Sequence, residues 1–370
     1  MRLADWGNLE ELPLNLIFNK MGELIDHIYF SMVCKNWYSI AKFNYQNLQI
    51  KNNGLPMLLQ RFLYGISPET IYPFKVPIPS KERLCGSSHG WLAKSISEDG
   101  TVTLMNPFKN RVSIHLPPIY KSRDINSRVR YNACNVHKVI LSANPTIRPH
   151  DYVVVAIYDI GKGKALAFIK AGQNFWTHVE EAYSGFTDVI FYKDLVYAVG
   201  LKNNVIYFNI YNSKNSLYYR KFIFYVASSP EVDFAHRAYF VISLEGDLWL
   251  VKKFSGYATN FVVYKLELDL RNGKLIRMVK LDSLEDNVLF IGNCDSISMS
   301  ASSFANYLQK DSIYYAKDDC EKDTDQDHCP CVQFDMEIYN IKDGSSTQHC
   351  RSQLCFTRTS PSLWVLPPST

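Results

Sequence analysis

Residues 8–43 read NLEELPLNLIFNKMGELIDHIYFSMVCKNWYSIAKF. Apolar residues fall at Leu12, Leu16, Ile17, Met21 and Leu24, then at Ile28, Phe30, Val33, Trp37, Ile40 and Ala41. Such gaps of three, four and seven put apolar side chains on one face of a helix. Pro13 suits a first helical position, where the N–H that proline lacks has no intrahelical partner anyway. Gly22 is placed to end this helix and Asp26 to cap the next. The stretch therefore predicts three short helices. About 36 residues carrying this much apolar surface cannot bury all of it among themselves. Part of it is expected to meet a partner.

The helical pattern stops near Phe43. Asn52-Asn53-Gly54 is a turn signal, Leu55–Leu59 can open a strand, and Pro68, Pro73, Pro77 and Pro79 interrupt regular structure. The expected organisation is a helical domain over 1–45, a transition over 46–83 and a β domain over 84–370.

From Leu84 onward, short apolar runs alternate with Gly, Asp and Asn turns. Tyr152–Tyr158 and Ala165–Lys170 flank Gly161-Lys162-Gly163, and Tyr239–Leu244 and Leu248–Phe254 flank Glu245-Gly246-Asp247. Met336–Ile341 runs into Lys342-Asp343-Gly344. Each pattern reads as a hairpin or strand end. A chain of successive hairpins must dispose of its sheet edges as a sandwich, a barrel or a propeller. Hairpins centred near Gly100, Gly161, Asn203, Gly246, Gly292 and Gly344 lie roughly forty to sixty residues apart, the size of a propeller blade. The expected fold class is a short all-α domain followed by an all-β propeller of about six or seven blades.

Composition narrows the classes. Of the 370 residues, 47% are hydrophobic, which supplies a large core, and 14% are aromatic, which favours β structure. A net charge of +4 is mild for this length and argues against a dedicated nucleic-acid or membrane-surface protein. The N-terminal MRLADWGNLEEL has no apolar core of a secretory signal, and no run approaches the ~20 residues of a membrane span. Nine irregularly spaced cysteines do not form a disulfide framework. These features predict an intracellular chain, cytoplasmic or nuclear, with reduced thiols.

Leu12-Pro13, Leu16-Ile17, Met21, Leu24 and Asp26, then Val33-Cys34-Lys35 with Trp37, resemble an F-box. Leu84-Cys85-Gly86-Ser87-Ser88-His89-Gly90-Trp91-Leu92 resembles the start of the KIB-type β-propeller found behind F-boxes in a large plant family. Asn106-Pro107, Leu116-Pro117-Pro118-Ile119, Gly246-Asp247-Leu248-Trp249-Leu250-Val251, Asp343-Gly344-Ser345 and Pro361-Ser362-Leu363-Trp364 follow in the family's order. The resemblance implies a Skp1-binding set of Leu12, Pro13, Leu16, Ile17, Met21, Leu24, Val33, Cys34 and Trp37. It implies a non-catalytic substrate adaptor of a Skp1–cullin–F-box (SCF) ubiquitin ligase, whose propeller captures an unidentified protein. An F-box scaffold or sequestering protein outside a ligase, and a propeller enzyme or ligand-binding module, are the alternatives.

Other chemistry-bearing residues read as structure. Ser87, Ser88 and His89 do not make a catalytic triad by adjacency, and no Gly-x-Ser-x-Gly elbow occurs. Gly161-Lys162-Gly163-Lys164 lacks the phosphate-loop spacing. In 318–331, DDCEKDTDQDHCPC, Asp323, Asp325 and Asp327 begin like a calcium loop, but His328 stands where Gly is needed and Phe334 where Glu is needed. Cys320, His328, Cys329, Cys331, His349, Cys350 and Cys355 lack a paired Cys-x-x-Cys. No metal and no cofactor are expected. Lys121, Arg123, Arg128, Arg130 and Lys138 suggest a basic loop, solvated or in contact with a partner.

Overall fold

Runs rich in Val, Ile, Tyr and Phe form the strands, and the Gly, Asp and Asn clusters between them form the turns. The structure is a computed structural model. It describes residues 6–21, 26–27, 30–31, 33–47, 55–59, 62–64, 71–75, 82–96, 100–106, 112–119, 135–159, 163–179, 185–200, 204–210, 224–225, 237–254, 259–269, 271–316, 336–349 and 362–366. The chain divides into two compact units, Met1–Val76 with Val365–Thr370, and Pro77–Trp364.

In the first unit, helix α1 spans Glu11–Lys20 and helix α2 Lys35–Asn47, after a short 3-10 turn at Trp6–Asn8. This corrects the expected set of three: two α-helices have defined bounds among the described residues. Pro13 is the third helical residue, still within the first turn, where an N–H is not needed. α1 stops because Met21 turns to extended backbone, its N–H bonding the Phe18 carbonyl. The strands β1 (Met57–Leu59), β2 (Phe62–Tyr64) and β3 (Ile71–Lys75) form a four-stranded sheet with the last strand, β25 (Leu363–Val365), in the order β25-β1-β2-β3.

The second unit carries five sheets. The first is β4 (Glu82–Ser88), β5 (Trp91–Ile96), β6 (Val102–Met105) and β7 (Ser113–His115). The second is β8 (Val136–Leu141), β9 (Val153–Asp159), β10 (Lys164–Lys170) and β11 (Thr177–Val179). The third is β12 (Phe186–Tyr192), β13 (Leu195–Gly200), β14 (Asn204–Phe208) and β15 (Phe224–Tyr225). The fourth is β16 (Arg237–Ile242), β17 (Leu248–Phe254), β18 (Asn260–Leu268) and β19 (Leu275–Leu281). All four are antiparallel meanders. The fifth contains β20 (Asn287–Ile291), β21 (Ile297–Ser300), β22 (Ser312–Ala316), β23 (Met336–Asn340) and β24 (Ser346–His349), in the order β21-β20-β22-β23-β24.

This is a five-bladed propeller, and the expectation of six or seven blades is corrected. The hairpins at Gly292 and Gly344, which sequence spacing assigns to separate blades, belong to the same fifth sheet. There β20 and β22 run parallel, so residues 301–311 carry the chain back past β20 rather than into a new sheet.

The core lies between successive sheets. Along β9, Val154, Ala156 and Tyr158 pack toward the first sheet, while Val153, Val155 and Ile157 pack toward the third. This is the two-residue period of a strand buried on both faces. Close approach of backbones is visible at Gly86, where a Cβ would stand 2.2 Å from the Val139 carbonyl oxygen of β8.

Candidate functional site

The helical unit has a small core of its own. Leu14 and Phe18, one turn apart on α1, are buried with Phe30 and with Ile40 and Ala41 of α2. Ile17, Met21 and Trp37 pack at its margin. Phe30 stands edge-on to Phe18 at 5.2 Å and tilts against Trp37 at 4.5 Å. His27 stacks on Phe18 at 4.3 Å, and its Nε2 lies 3.1 Å from the Met21 carbonyl. Burial pulls the His27 pKa down, although carbonyls of Met21 and Phe18 and the charge of Asp26 oppose this.

The start of α2 is tied to the segment before α1. Asn36 Nδ2 donates to the Leu9 carbonyl and Trp37 Nε1 to the Trp6 carbonyl, both at 2.9 Å. Cys34 Sγ lies 3.8 Å from the Gly7 carbonyl. Asn44, buried, bridges to Asn15 Oδ1 on α1 at 2.5 Å and to the Ile40 carbonyl at 2.9 Å. These bonds fix the two helices without drawing in the outer face of α1.

That outer face is apolar. Leu12 is 76% exposed and Leu16, one turn on, 63% exposed, with exposed Pro13 between them. Val33, just before α2, is 52% exposed, and Trp6, Tyr38 and Phe43 also reach solvent. Residues two apart on a helix point to nearly opposite sides, so Leu14 and Phe18 face the core while Leu12 and Leu16 face out. A helix apolar on both sides is complete only when its outer side is covered.

Of the nine residues in the sequence-derived set, Leu12, Pro13, Leu16 and Val33 are therefore exposed. Ile17, Met21, Cys34 and Trp37 are partly buried, and Leu24 lies outside the described residues. The exposed Trp6, Tyr38 and Phe43 were not singled out by sequence; their apolar character was the available signal.

In the propeller, Ser87, Ser88, His89 and Lys138 are among the described residues, and Gly161 and Lys162 are not. Ser87 and Ser88 are buried at the end of β4, and the Ser88 hydroxyl accepts the Leu141 N–H at 3.0 Å. His89 and Gly90 form a two-residue turn with φ of 51° and 76°. Burial pushes the Cys85 thiol up to about 12, leaving it protonated and unreactive. Lys138 is not a loop residue but lies buried in β8, where it forms an ion pair with Asp188 of β12. Asp188 also accepts the N–H groups of Val189 at 2.9 Å and of Phe240, on β16, at 2.6 Å. Burial favours a neutral Lys138, but Asp188 and Asp295 together raise its pKa and keep the ammonium charged, while burial raises that of Asp188 against the pull of Lys138 and the two amides. One carboxylate thus joins the second, third and fourth sheets. Lys121, Arg123, Arg128 and Arg130 lie outside the described residues, as do residues 318–331, Cys350 and Cys355. Among the described residues no group of three metal-binding side chains occurs, and no helix is long and apolar enough to cross a membrane.

The profile of the KIB1-4 β-propeller family matches residues 63–340, and the chain belongs to that family. Two Arabidopsis thaliana relatives carry F-box names. F-box protein At2g26160 is 23% identical, the match covering 85% of this chain and 96% of the relative. F-box protein SKIP23 is 21% identical, covering 85% and 84%. The resemblance to plant F-box proteins with a KIB-type propeller is met by both comparisons. Among solved structures, the N-terminal part of BBS1 in complex with ARL6 aligns at 13% identity with a TM-score of 0.36, covering 65% of this chain and 68% of that one.

Proposed function

We propose that the chain is a substrate adaptor of an SCF ubiquitin ligase, docking Skp1 through the outer face of its N-terminal helices. The observation that supports this is the exposed run Leu12, Pro13, Leu16 and Val33 on a unit whose own core is already closed by Leu14, Phe18 and Ile40. Ile17, Met21, Leu24, Cys34 and Trp37 complete the proposed contact set. Covering Leu12, Leu16 and Val33 contributes about 1–2 kcal/mol each, gross, offset by the cost of association. The relatives' F-box names support the same reading.

In this role the chain is not an enzyme. It holds a protein near the ligase, making ubiquitin transfer effectively intramolecular. The proposed modules are an F-box over 1–45, a transition over 46–83 and a substrate-holding propeller over 84–370, working in the cytoplasm or nucleus. The test compares the full-length chain with a Leu12→Asp/Leu16→Asp variant in cells. Wild type should co-purify Skp1 and lower the level of its bound protein in a proteasome-dependent way. The variant should keep the bound protein, lose Skp1 and leave the level unchanged. Skp1 capture with no change in abundance or ubiquitination of any bound protein would favour a scaffold instead.

A further inference from the structure

All five large apolar side chains that the propeller leaves exposed among its described residues belong to one end of it: Val112, Ile147, Phe175, Leu244 and Ile276. The first strands of the first four sheets run side by side in the same direction. Ser88 of β4 meets Leu141 of β8, and Gly86 faces Val139. The N–H of Gly185, before β12, meets the Lys164 carbonyl at the start of β10 at 2.9 Å. The Thr187 hydroxyl of β12 lies 3.4 Å from the Ala238 carbonyl of β16, and Tyr192, at the end of β12, bonds the Gly246 carbonyl at 2.9 Å. Turns after the first and third strands of these four sheets therefore gather at one end. Val112 precedes β7, Ile147 follows β8, Phe175 follows β10, Leu244 follows β16 and Ile276 follows the β18–β19 turn.

Three of these side chains stand on backbone that is already fixed. The loop of Ile147 is wound on Asn144, whose carbonyl accepts from Ile147 at 3.0 Å and Arg148 at 2.9 Å. The Asn144 side-chain oxygen accepts from Thr146 at 2.9 Å and from the Trp91 indole of the first sheet at 3.0 Å. Ile147 is nevertheless 74% exposed. Leu244 donates its N–H to the buried Asn287 of the fifth sheet at 2.8 Å, yet its side chain is 46% exposed. Ile276 is the extra residue of a β-bulge, since Leu275 pairs Leu268 while Arg277 pairs Glu267. A bulge re-aims a side chain, and this one is 67% exposed. Rigid loops that hold apolar side chains outward have met the ordering cost of binding in advance.

Among the described residues, several charges close to them are already balanced. Arg148 pairs with Asp151 at 3.6 Å and Lys265 with Asp247 at 2.5 Å, while Lys193 and Asp194 are neighbours in one turn. A phosphate backbone or an anionic membrane needs an uncompensated basic surface. From this juxtaposition we infer that this end of the propeller is the partner-receiving face, and that its occupant is a protein segment anchored by apolar side chains. The inference rests on the adaptor reading for the identity of that segment as substrate.

The test pans a displayed library of random peptides, each about 12 residues long, on the immobilised full-length chain. Enriched peptides should be apolar, and a synthetic copy should bind about equally at roughly 50 and 500 mM salt. Leu244→Asp/Ile276→Asp and Ile147→Asp variants with unchanged melting should each bind it at least tenfold more weakly. The Leu12→Asp/Leu16→Asp chain should bind it as wild type does. Absence of enrichment, or binding unaffected by these variants, would overturn the inference. So would competition by a DNA oligonucleotide or by phosphatidylserine vesicles. A Skp1 pull-down on the same preparations separates the two claims: its failure with peptide selection intact would remove only the adaptor reading.

Discussion

The helical unit and the propeller handle apolar surface in opposite ways. The propeller buries each of its three middle sheets on both faces, through four clusters that each join neighbouring sheets. It also holds an ion pair, Lys138 with Asp188, inside. The helical unit closes one cluster around Leu14 and Phe18 and leaves six large apolar residues in water among the described residues of 6–43. A short pair of helices cannot cover both sides of itself. The contrast separates sheets that bury their apolar faces against one another from a helical face left apolar and exposed.

The comparison breaks first at its buried charge. Lys138→Met strands Asp188 without its cation and should cost about 3–5 kcal/mol in urea unfolding. The double variant Lys138→Met/Asp188→Asn should recover part of that loss, but not all, because Asp188 also serves two backbone amides. A single-variant cost near zero would mean the pair does not bridge the sheets.

Within the helical unit, two residues of α1 should behave differently despite similar chemistry. Phe18→Ala should destabilise that unit by about 3–5 kcal/mol, through lost burial and the cavity left behind. Leu16→Ala, on the outer face, should change stability by no more than about 0.5 kcal/mol. Equal costs at the two positions, measured by circular dichroism of helix melting, would contradict the assignment of inner and outer faces.

A smaller effect is a pH slope confined to the helices. Burial holds His27 below its ordinary pKa, so the unfolded chain binds this proton more readily than the folded one. The contribution is present above the unfolded value of about 6.5 and is lost as pH falls from there toward the folded value. Helix melting should therefore drop between about pH 7 and 5, and His27→Phe should flatten that part of the profile. An unchanged slope in the variant would assign it to other groups.

Local pattern made much of the fold legible. Strand β17 coincides with the apolar run Leu248–Phe254, because apolar runs and flanking turns are local signals. Blade number was not legible in the same way. A parallel pairing such as β20 with β22 joins strands that a third strand separates in sequence, and turn spacing carries no trace of it. Lys138 illustrates the same limit, since the Asp188 that draws it into the core is fifty positions away. On α1, Leu12 and Leu16 fit a helical stripe as well as Leu14 and Phe18 do, so periodicity found the helix without saying which side was the core. The Leu-Pro and Val-Cys-Lys-x-Trp residues were readable because the surface proposed to take a partner is written in a contiguous segment. The propeller's exposed residues come from separate turns and strand ends and share one end of it only after folding.

The most direct measurement is a calorimetric titration of purified full-length chain with Skp1, alongside the Leu12→Asp/Leu16→Asp variant. The account predicts a one-to-one complex with a negative heat-capacity change, the mark of apolar burial. It predicts at least a hundredfold weaker binding for the variant, with its melting temperature unchanged. Absence of a complex with the wild-type chain, or equal affinity for both chains, would contradict it.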